Sequence, residues 1–267
     1  MKPFYDSASL QNAKISVIIP AYNAEKTLEA AMQSCIDQTF LPFEVIIIND
    51  GSTDKTEETA NNFIKKQQTS VKFSVISVKN GGVSRARNIG IKQAASDFVA
   101  FLDSDDAWHT EKLAKQIEAF KNFPNTALVS TNSTVKNHFS GQTRRVSFTH
   151  LLIRNHVITS SAMVPAAIIK NCMFDQTLRR AEDYNLWLKL GKIGKIVFID
   201  QKLVFFADKR TFGASGLSAN FHALTADEMK GHTKLFFAGT INLGQYFFAL
   251  GMTCVKYLRK CIIYYLT

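Results

Sequence analysis

The chain has 267 residues, of which 46% are hydrophobic and 20% charged; this is globular composition, with length for one large domain or a domain and an appendage, and it excludes disorder as the default. A formal net charge of +10 implies an anionic partner and leaves open nucleic acid, acidic lipid head groups and phosphorylated substrates. Cys35, Cys172, Cys254 and Cys261 lack the paired short spacings of a zinc or redox motif and read as reduced core residues, in keeping with a cytoplasmic protein.

The opening MKPFYDSASLQNAK lacks the basic-then-apolar plan of a secretory signal, so export by that route is not expected. From residue 15 to about residue 131, short β-branched runs alternate with segments of helical period, the pattern of βαβ units around a mainly parallel sheet. ISVIIP, FEVIII, VKFSVISV, FVAFL and ALVST read as strands. Leu28, Met32, Cys35 and Ile36 give the first helix one apolar face. Asp54 followed by Glu57 predicts a capping box on the second helix, with Ala60, Phe63 and Ile64 turned inward.

Ligands of such open sheets bind beyond the carboxyl ends of the strands. Each polar cluster of the chain falls there: PAYNAE after the first strand, NDGSTD after the second, KNGGVSRARN after the third and DSDD after the fourth.

Between residues 132 and 160 the pattern is polar and basic, with RNHVITSSAMV as the return to a strand. RRAEDYNLWLKLG predicts a helix burying Leu186, Trp187 and Leu190, and KIVFIDQKLVFF a strand or hairpin. KRTFGASGLSAN reads as a mobile loop. Residues 221–267 turn helical and aromatic. No charged residue stands between Lys234 and Lys256, but Thr240, Asn242, Gln245 and three glycines interrupt the stretch, which favours helices packed on the domain or lying on a membrane surface over a membrane span.

Asp103, Asp105 and Asp106 follow a buried strand, where like charges raise one another's cost of ionisation unless a cation joins them. Hard oxygen ligands at that spacing suit Mg2+ or Mn2+ with coordination positions left for a diphosphate. A helix cap with solvated turn acids is the plain alternative. Asp105 is the candidate direct ligand, Asp103 the contact to a ribose hydroxyl, and Asp106 a support behind the metal. Asp50, at its strand terminus, can accept the imide N–H of a uracil ring; a simple turn into a helix explains NDGSTD as well. Gly81 and Gly82 permit close approach of the backbone to phosphate at a helix start, with Arg87 and Asn88 as pocket residues and Arg85 as a further cation. Glu182 and Asp183 open a helix, where acids also serve as dipole partners, and only one of two consecutive helical residues readily aims at a substrate. A carboxylate so aimed can take a proton from an attacking hydroxyl. No GxSxG elbow, P-loop or histidine ligand spacing occurs.

Together PAYNAEKTL, VIIINDGSTD, GGVSRARNIG, FLDSDD and AEDYNLWLKL, in this order, resemble the family-2 glycosyltransferases over about residues 14 to 220. The resemblance implies a GT-A fold: an α/β, Rossmann-like, mainly parallel mixed sheet flanked by helices, with a nucleotide-binding half at 14–131, an acceptor half at 132–220 and a C-terminal helical appendage at 221–267. It implies that Pro20, Tyr22 and Glu25 shape the nucleoside pocket with Asp50, and that Arg87 approaches the nucleotide. Asp103 and Asp105 take the DxD role, Asp183 that of catalytic base with Glu182 beside it. Lys209, Arg210, Ser215 and Ser218 correspond to a lid over the diphosphate. Asn49 stands where the family commonly has aspartate, and KRTFGASGLS departs from its usual Tyr-Arg before the serines.

The implied reaction is an inverting, metal-dependent transfer from a nucleotide sugar, with uridine preferred, to a glycan or lipid-linked acceptor at the cytoplasmic face of the membrane, in surface polysaccharide or lipopolysaccharide synthesis. Rivals are a nucleotidyltransferase, which would carry a Gly-rich basic loop where PAYNAE stands, and an inactive sugar-nucleotide scaffold. A nucleic-acid binder lacks any recognisable module here, so no nucleic-acid partner is expected.

Overall fold

β-branched runs of the first hundred residues build the centre of the sheet. In the computed structural model, which describes residues 4–5, 10–133, 140–206 and 220–266, strands β1 (Ile15–Ala21), β2 (Glu44–Asp50), β3 (Lys72–Val78) and β4 (Phe98–Phe101) pair in parallel in the order β3-β2-β1-β4. Helices α1 (Leu28–Ile36), α2 (Thr56–Lys66) and α3 (Val83–Gln93) make the crossovers. Because side chains alternate along a strand, Val17, Ile19, Val45 and Ile47 enter one core with Leu28 and Met32 of α1. Ile18, Ile46 and Ile48 enter a second core on the opposite face with Ile91 of α3. Strands buried on both faces are continuous apolar runs for this reason.

α3 packs unusually close to β1 at Gly90, where a Cβ would lie 2.5 Å from the Ile18 Cγ2. Gly51, at φ 73°, lets the chain leave β2 beneath Asn80, whose backbone nitrogen a Cβ would meet at 2.6 Å.

Beyond β4 the sheet changes character. β5 (Asp106–Trp108), β6 (Thr126–Ser133), β7 (Thr143–Val146), β8 (Met163–Pro165) and β9 (Lys195–Phe206) extend it to the order β3-β2-β1-β4-β8-β6-β9-β5, with β7 also on β9. Here β6 and β9 are parallel, while β4/β8, β6/β8, β5/β9 and β7/β9 are antiparallel. The sheet is therefore parallel in its first half and mixed in its second. KIVFIDQKLVFF, expected as a strand or hairpin, is one long strand, because β5, β6 and β7 all pair along it.

α4 (Lys112–Asn122) covers the first core. α5 (Phe148–Ile153), α6 (Ala166–Ile169) and α7 (Glu182–Ile193) cover the second, where Leu186, Trp187 and Leu190 of α7 are buried as their spacing requires. α8 (Phe221–Phe237) and α9 (Leu243–Leu266) add Leu235 and Ala249 to that same core.

Three expectations are corrected and a fourth is refined. Glu57 does not close a capping box: Asp54 accepts from the Thr56 backbone N–H at 2.9 Å, but Glu57 is drawn off to Asn49 and Ser77. RNHVITSSAMV is only briefly a strand, since Thr159–Ser161 form a 3-10 turn ahead of β8. Of the cysteines only Cys35 is core; Cys254 is exposed on α9, and Cys172 and Cys261 are half-buried. The uncharged stretch after Lys234 is broken into α8 and α9 at Gly239, φ 68°, and no helix among the described residues is long and apolar enough to cross a membrane.

Candidate active site

The carboxyl ends of β1 to β4 open on one crevice. At its outer side Tyr22 is 53% exposed just past β1, while Pro20 is buried within the strand. Glu25 accepts from the Lys55 N–H at 3.0 Å and so ties the loop after β1 to the NDGSTD turn. Asn23, at φ 50°, accepts from the Thr53 N–H at 2.9 Å and strengthens that tie. Asn49 donates to Glu57 at 3.2 Å and accepts from the Ser52 N–H at 3.1 Å. An aspartate there would face the Glu57 carboxylate with no proton to offer, which accounts for the amide at this position.

Asp50 is buried at the end of β2 and accepts from the Gly81 N–H at 2.9 Å and the Gly82 N–H at 2.8 Å. The donors ahead of α3, expected to face a phosphate, thus hold a carboxylate of the chain itself. Each carboxylate oxygen accepts about two hydrogen bonds, so these two contacts do not exhaust the acceptor capacity of Asp50. Arg85 donates to the Lys79 carbonyl at 2.6 Å and braces the same loop. Asn88 is corrected: both ends of its amide are consumed by Phe174, donating to its carbonyl and accepting from its N–H, each at 2.9 Å. It anchors the segment around Phe174 and does not face the crevice.

The acid corner follows β4. Asp103 is two-thirds shielded, Asp105 is exposed at the mouth, and Asp106 is buried at the start of β5. Sequence reasoning missed the residue that organises them. Ser160 accepts from the Asp103 N–H at 3.1 Å, donates its hydroxyl to Asp106, and through its carbonyl accepts the Trp108 indole N–H at 2.7 Å. Behind it the fully buried Lys112 ammonium lies 3.8 Å from the centre of the Trp108 ring and donates to Gln116 at 2.8 Å. Burial drives the Lys112 pKa well below its ordinary value. The only sequence signal for Ser160 was a run of hydroxyl residues, TSS, entering an apolar strand.

Burial, then the charges of Asp103 and Asp105, push the Asp106 carboxyl up to about 8, against the Ser160 hydrogen bond. Loss of water and the Asp103 charge also raise Asp105. Among the described residues no cation pairs with Asp105.

Arg87 joins this corner to α7. Its guanidinium, 5% exposed, donates to Asp103 at 2.7 Å and to Glu182 at 3.0 Å, and lies 5.2 Å from the Phe174 ring centre. Burial alone would lower its pKa, but the charges of Asp103 and Glu182 more than offset this and hold it above the ordinary value. The two acids at the start of α7 diverge as their neighbouring positions require. Glu182 turns to Arg87; Asp183 accepts from the Tyr184 N–H at 2.6 Å, the Thr159 hydroxyl at 3.3 Å and the Asn155 amide at 3.4 Å. Ala181 enters the helix at φ 53°, a left-handed backbone that costs a non-glycine residue energy and that recurs where side chains are held for function. Burial, with the Asp183 charge added, lifts Glu182 to about 7, and burial also raises Asp183.

Asp105 and Asp103 are the side chains of this corner that could contact a divalent cation. Among the described residues no three metal-binding side chains converge, so a cation here would take no more than one or two carboxylates from the chain. Mg2+ and Mn2+ sites on nucleotides are commonly built this way, with one or two carboxylates. Lys209, Arg210, Ser215 and Ser218 lie outside the described residues.

A half-parallel, half-mixed sheet with an acid corner at its switch in direction is the fold of the GT-A glycosyltransferases. Staphylococcus aureus TarS 1-349 in complex with UDP superposes with a TM-score of 0.65 at 20% identity, over 83% of this chain and 65% of that one. The mannosyltransferase PcManGT from Pyrobaculum calidifontis, in complex with GDP-Man and Mn2+, gives 0.68 at 16% identity, over 91% and 73%. The chain belongs to glycosyl transferase family 2, whose family model matches residues 16–181. An uncharacterized glycosyltransferase of Rickettsia felis is 31% identical over 205 residues, 73% of this chain and 33% of that protein, so the chain spans about a third of that relative. Escherichia coli WfgD, a UDP-Glc:alpha-D-GlcNAc-diphosphoundecaprenol beta-1,3-glucosyltransferase, is 31% identical over 212 residues, 77% of this chain and 80% of that protein.

Proposed function

We propose that this chain transfers a sugar, with inversion, from a UDP-sugar to a hydroxyl of a lipid-linked glycan at the cytoplasmic face of the membrane, in surface polysaccharide synthesis. Residues 14–220 form the transfer domain in this reading, and 221–267 a helical appendage. The observation that carries it is the Arg87 bridge, which sets the acid corner and the Glu182–Asp183 pair on one crevice. Support for donor and acceptor comes from WfgD and from WfaP of Escherichia coli, 31% identical over 185 residues, both named for UDP-Glc and a diphosphoundecaprenol-linked GlcNAc.

Asp50 with Pro20, Tyr22 and Glu25 frames the nucleoside, and Asp103 takes the ribose. Asp105, with Asp103 beside it and Asp106 behind, would hold Mn2+ or Mg2+, which supplies electrostatic stabilisation of the departing diphosphate. Glu182 stays in the grip of Arg87, so Asp183 is the base. It takes the proton of the acceptor hydroxyl as that oxygen bonds to the anomeric carbon, and the electron pair of the broken bond leaves with the diphosphate. Thr159 and Asn155 hold the Asp183 oxygen in place.

Release of UDP from UDP-glucose, with and without a GlcNAc-diphospholipid acceptor, tests the reading. Asp183→Asn should slow transfer by about a hundredfold or more while UDP affinity is kept; Asp105→Asn should abolish the Mn2+ dependence of donor binding. Full turnover of both variants would refute it.

A further inference from the structure

α9 carries an apolar face that the rest of the molecule does not cover. Leu243, Phe247, Val255, Leu258 and Ile262 fall on one side of a helix of about 3.6 residues per turn, and each is more than half exposed, Phe247 at 61% and Leu258 at 59%. Ala249 and Thr253, on the opposite side, are 0% and 1% exposed against the body of the protein. Single exposed hydrophobics are ordinary; a continuous row of them marks an interaction surface.

The charge on this helix is of one sign. α9 contains Lys256, Arg259 and Lys260 and no acid. Lys256 is occupied by Glu228 of α8, whereas Arg259 and Lys260 are exposed and, among the described residues, pair with no acid. A second copy of the chain seated on this face would bring these cations towards their like with no acid to compensate. An anionic lipid surface neutralises them.

We propose that α9 lies flat on an anionic phospholipid bilayer, its apolar row sunk at the level of the head groups and Arg259, at the edge of that row, on lipid phosphates. The helix is not long and apolar enough to cross; a one-sided apolar helix with flanking cations is the form that lies in the interface. Its inner side reaches α7. The Lys256 ammonium lies 5.7 Å from the ring centre of Tyr184, the residue after Asp183. The bilayer would therefore meet the molecule on the side of the acceptor helix. This deepens the lipid-linked-acceptor reading and rests on it only for its purpose, because bilayer binding is measured without donor or acceptor.

The full chain is sedimented with vesicles of phosphatidylcholine alone and of phosphatidylcholine with phosphatidylglycerol, at low and high salt. It should bind the anionic vesicles, less so at high salt. The double variant Phe247→Ser/Leu258→Ser should weaken binding at least about tenfold, with melting temperature and the release of UDP from UDP-glucose in the presence of a soluble acceptor analogue unchanged. Arg259→Gln should weaken the preference for anionic lipid. Absence of vesicle binding by the natural chain, or binding that ignores the Phe247/Leu258 pair, overturns the proposal. A dimer that the same pair dissolves, without vesicle affinity, assigns the face to a second copy and also overturns it. Vesicle binding without any sugar transfer would leave this proposal standing and remove the transferase reading.

Discussion

Ser160 shows how much of a site can depend on a residue with no reactive role. Its hydroxyl and carbonyl meet the Asp103 N–H, the Asp106 carboxylate and the Trp108 indole. Ser160→Ala would leave Asp106 buried without that donor, a loss of about 1–3 kcal/mol. Melting temperature should fall, and Mn2+ affinity read by electron paramagnetic resonance with UDP present should weaken, while Ser160→Thr restores both. Equal Mn2+ affinity in Ser160→Ala and the natural chain would show that the corner holds its shape alone. Glu182 gives a second test at this scale. Its folded carboxyl keeps its proton up to about pH 7, whereas the unfolded one releases it near 4.5, so the folded state binds more protons in between. Its contribution to stability is complete below that lower value and is lost as pH rises through about 7. Glu228 works the other way. Burial would raise it, but His232 at 3.8 Å and the Lys256 ammonium that donates to it bring it down to about 2, and its contribution is lost only as pH falls towards that value. Between about pH 5 and pH 8, then, the melting temperature of the metal-free protein should decline, with Asp106, lifted to about 8, adding to the loss in the same sense, and Glu182→Gln should flatten the decline in part. A slope that Glu182→Gln leaves untouched would place the proton elsewhere.

At the scale of elements, the contact between α3 and β1 sets the position of Arg87. Gly90 lies one turn further along α3, and a methyl there would press on Ile18, itself fully buried. Gly90→Ala should destabilise by roughly 1–3 kcal/mol, the usual penalty of overpacking a filled core, and should lower UDP affinity by shifting the helix away from the strand. Unchanged chemical denaturation would mean that Ile18 yields freely. The start of α7 belongs to this scale too. Two consecutive acids on a helix point apart, and this sends Glu182 inward to Arg87 and Asp183 towards Thr159 and Asn155. That divergence was legible before any coordinates. Which acid took which direction was not, because Arg87 is distant from both in sequence.

Over the whole molecule, Arg87 links the parallel half of the sheet to the helix of the mixed half. Arg87→Ala would strand Asp103 and Glu182 with no counter-charge, a loss of about 3–5 kcal/mol for a broken buried pair. Arg87→Lys should rescue little of it, since a single ammonium lacks the fork that reaches both carboxylates. Thermal unfolding of the two variants checks this, and full rescue by lysine would reduce the bridge to simple charge balance. The strands, their order of appearance and the crowding of polar residues at their ends were readable from period and residue type, which are local properties. Asn88 was misplaced because its partner, the Phe174 backbone, is remote along the chain. That the Gly81 and Gly82 N–H groups come to Asp50 was not legible, because nothing local reveals it.

The sequence by itself determined that a βαβ sheet forms, that its strand ends carry an acid corner and an acidic helix start, and that the chain resembles the family to which it belongs. Alternation, helical period and turn chemistry act between neighbours and can be read from them. The tertiary structure alone decided that Ser160 organises the corner, that Arg87 spans Asp103 and Glu182, and that one face of α9 is left bare. Each of these depends on which buried polar group or apolar face finds a partner across the fold, and such partners are chosen by packing in three dimensions.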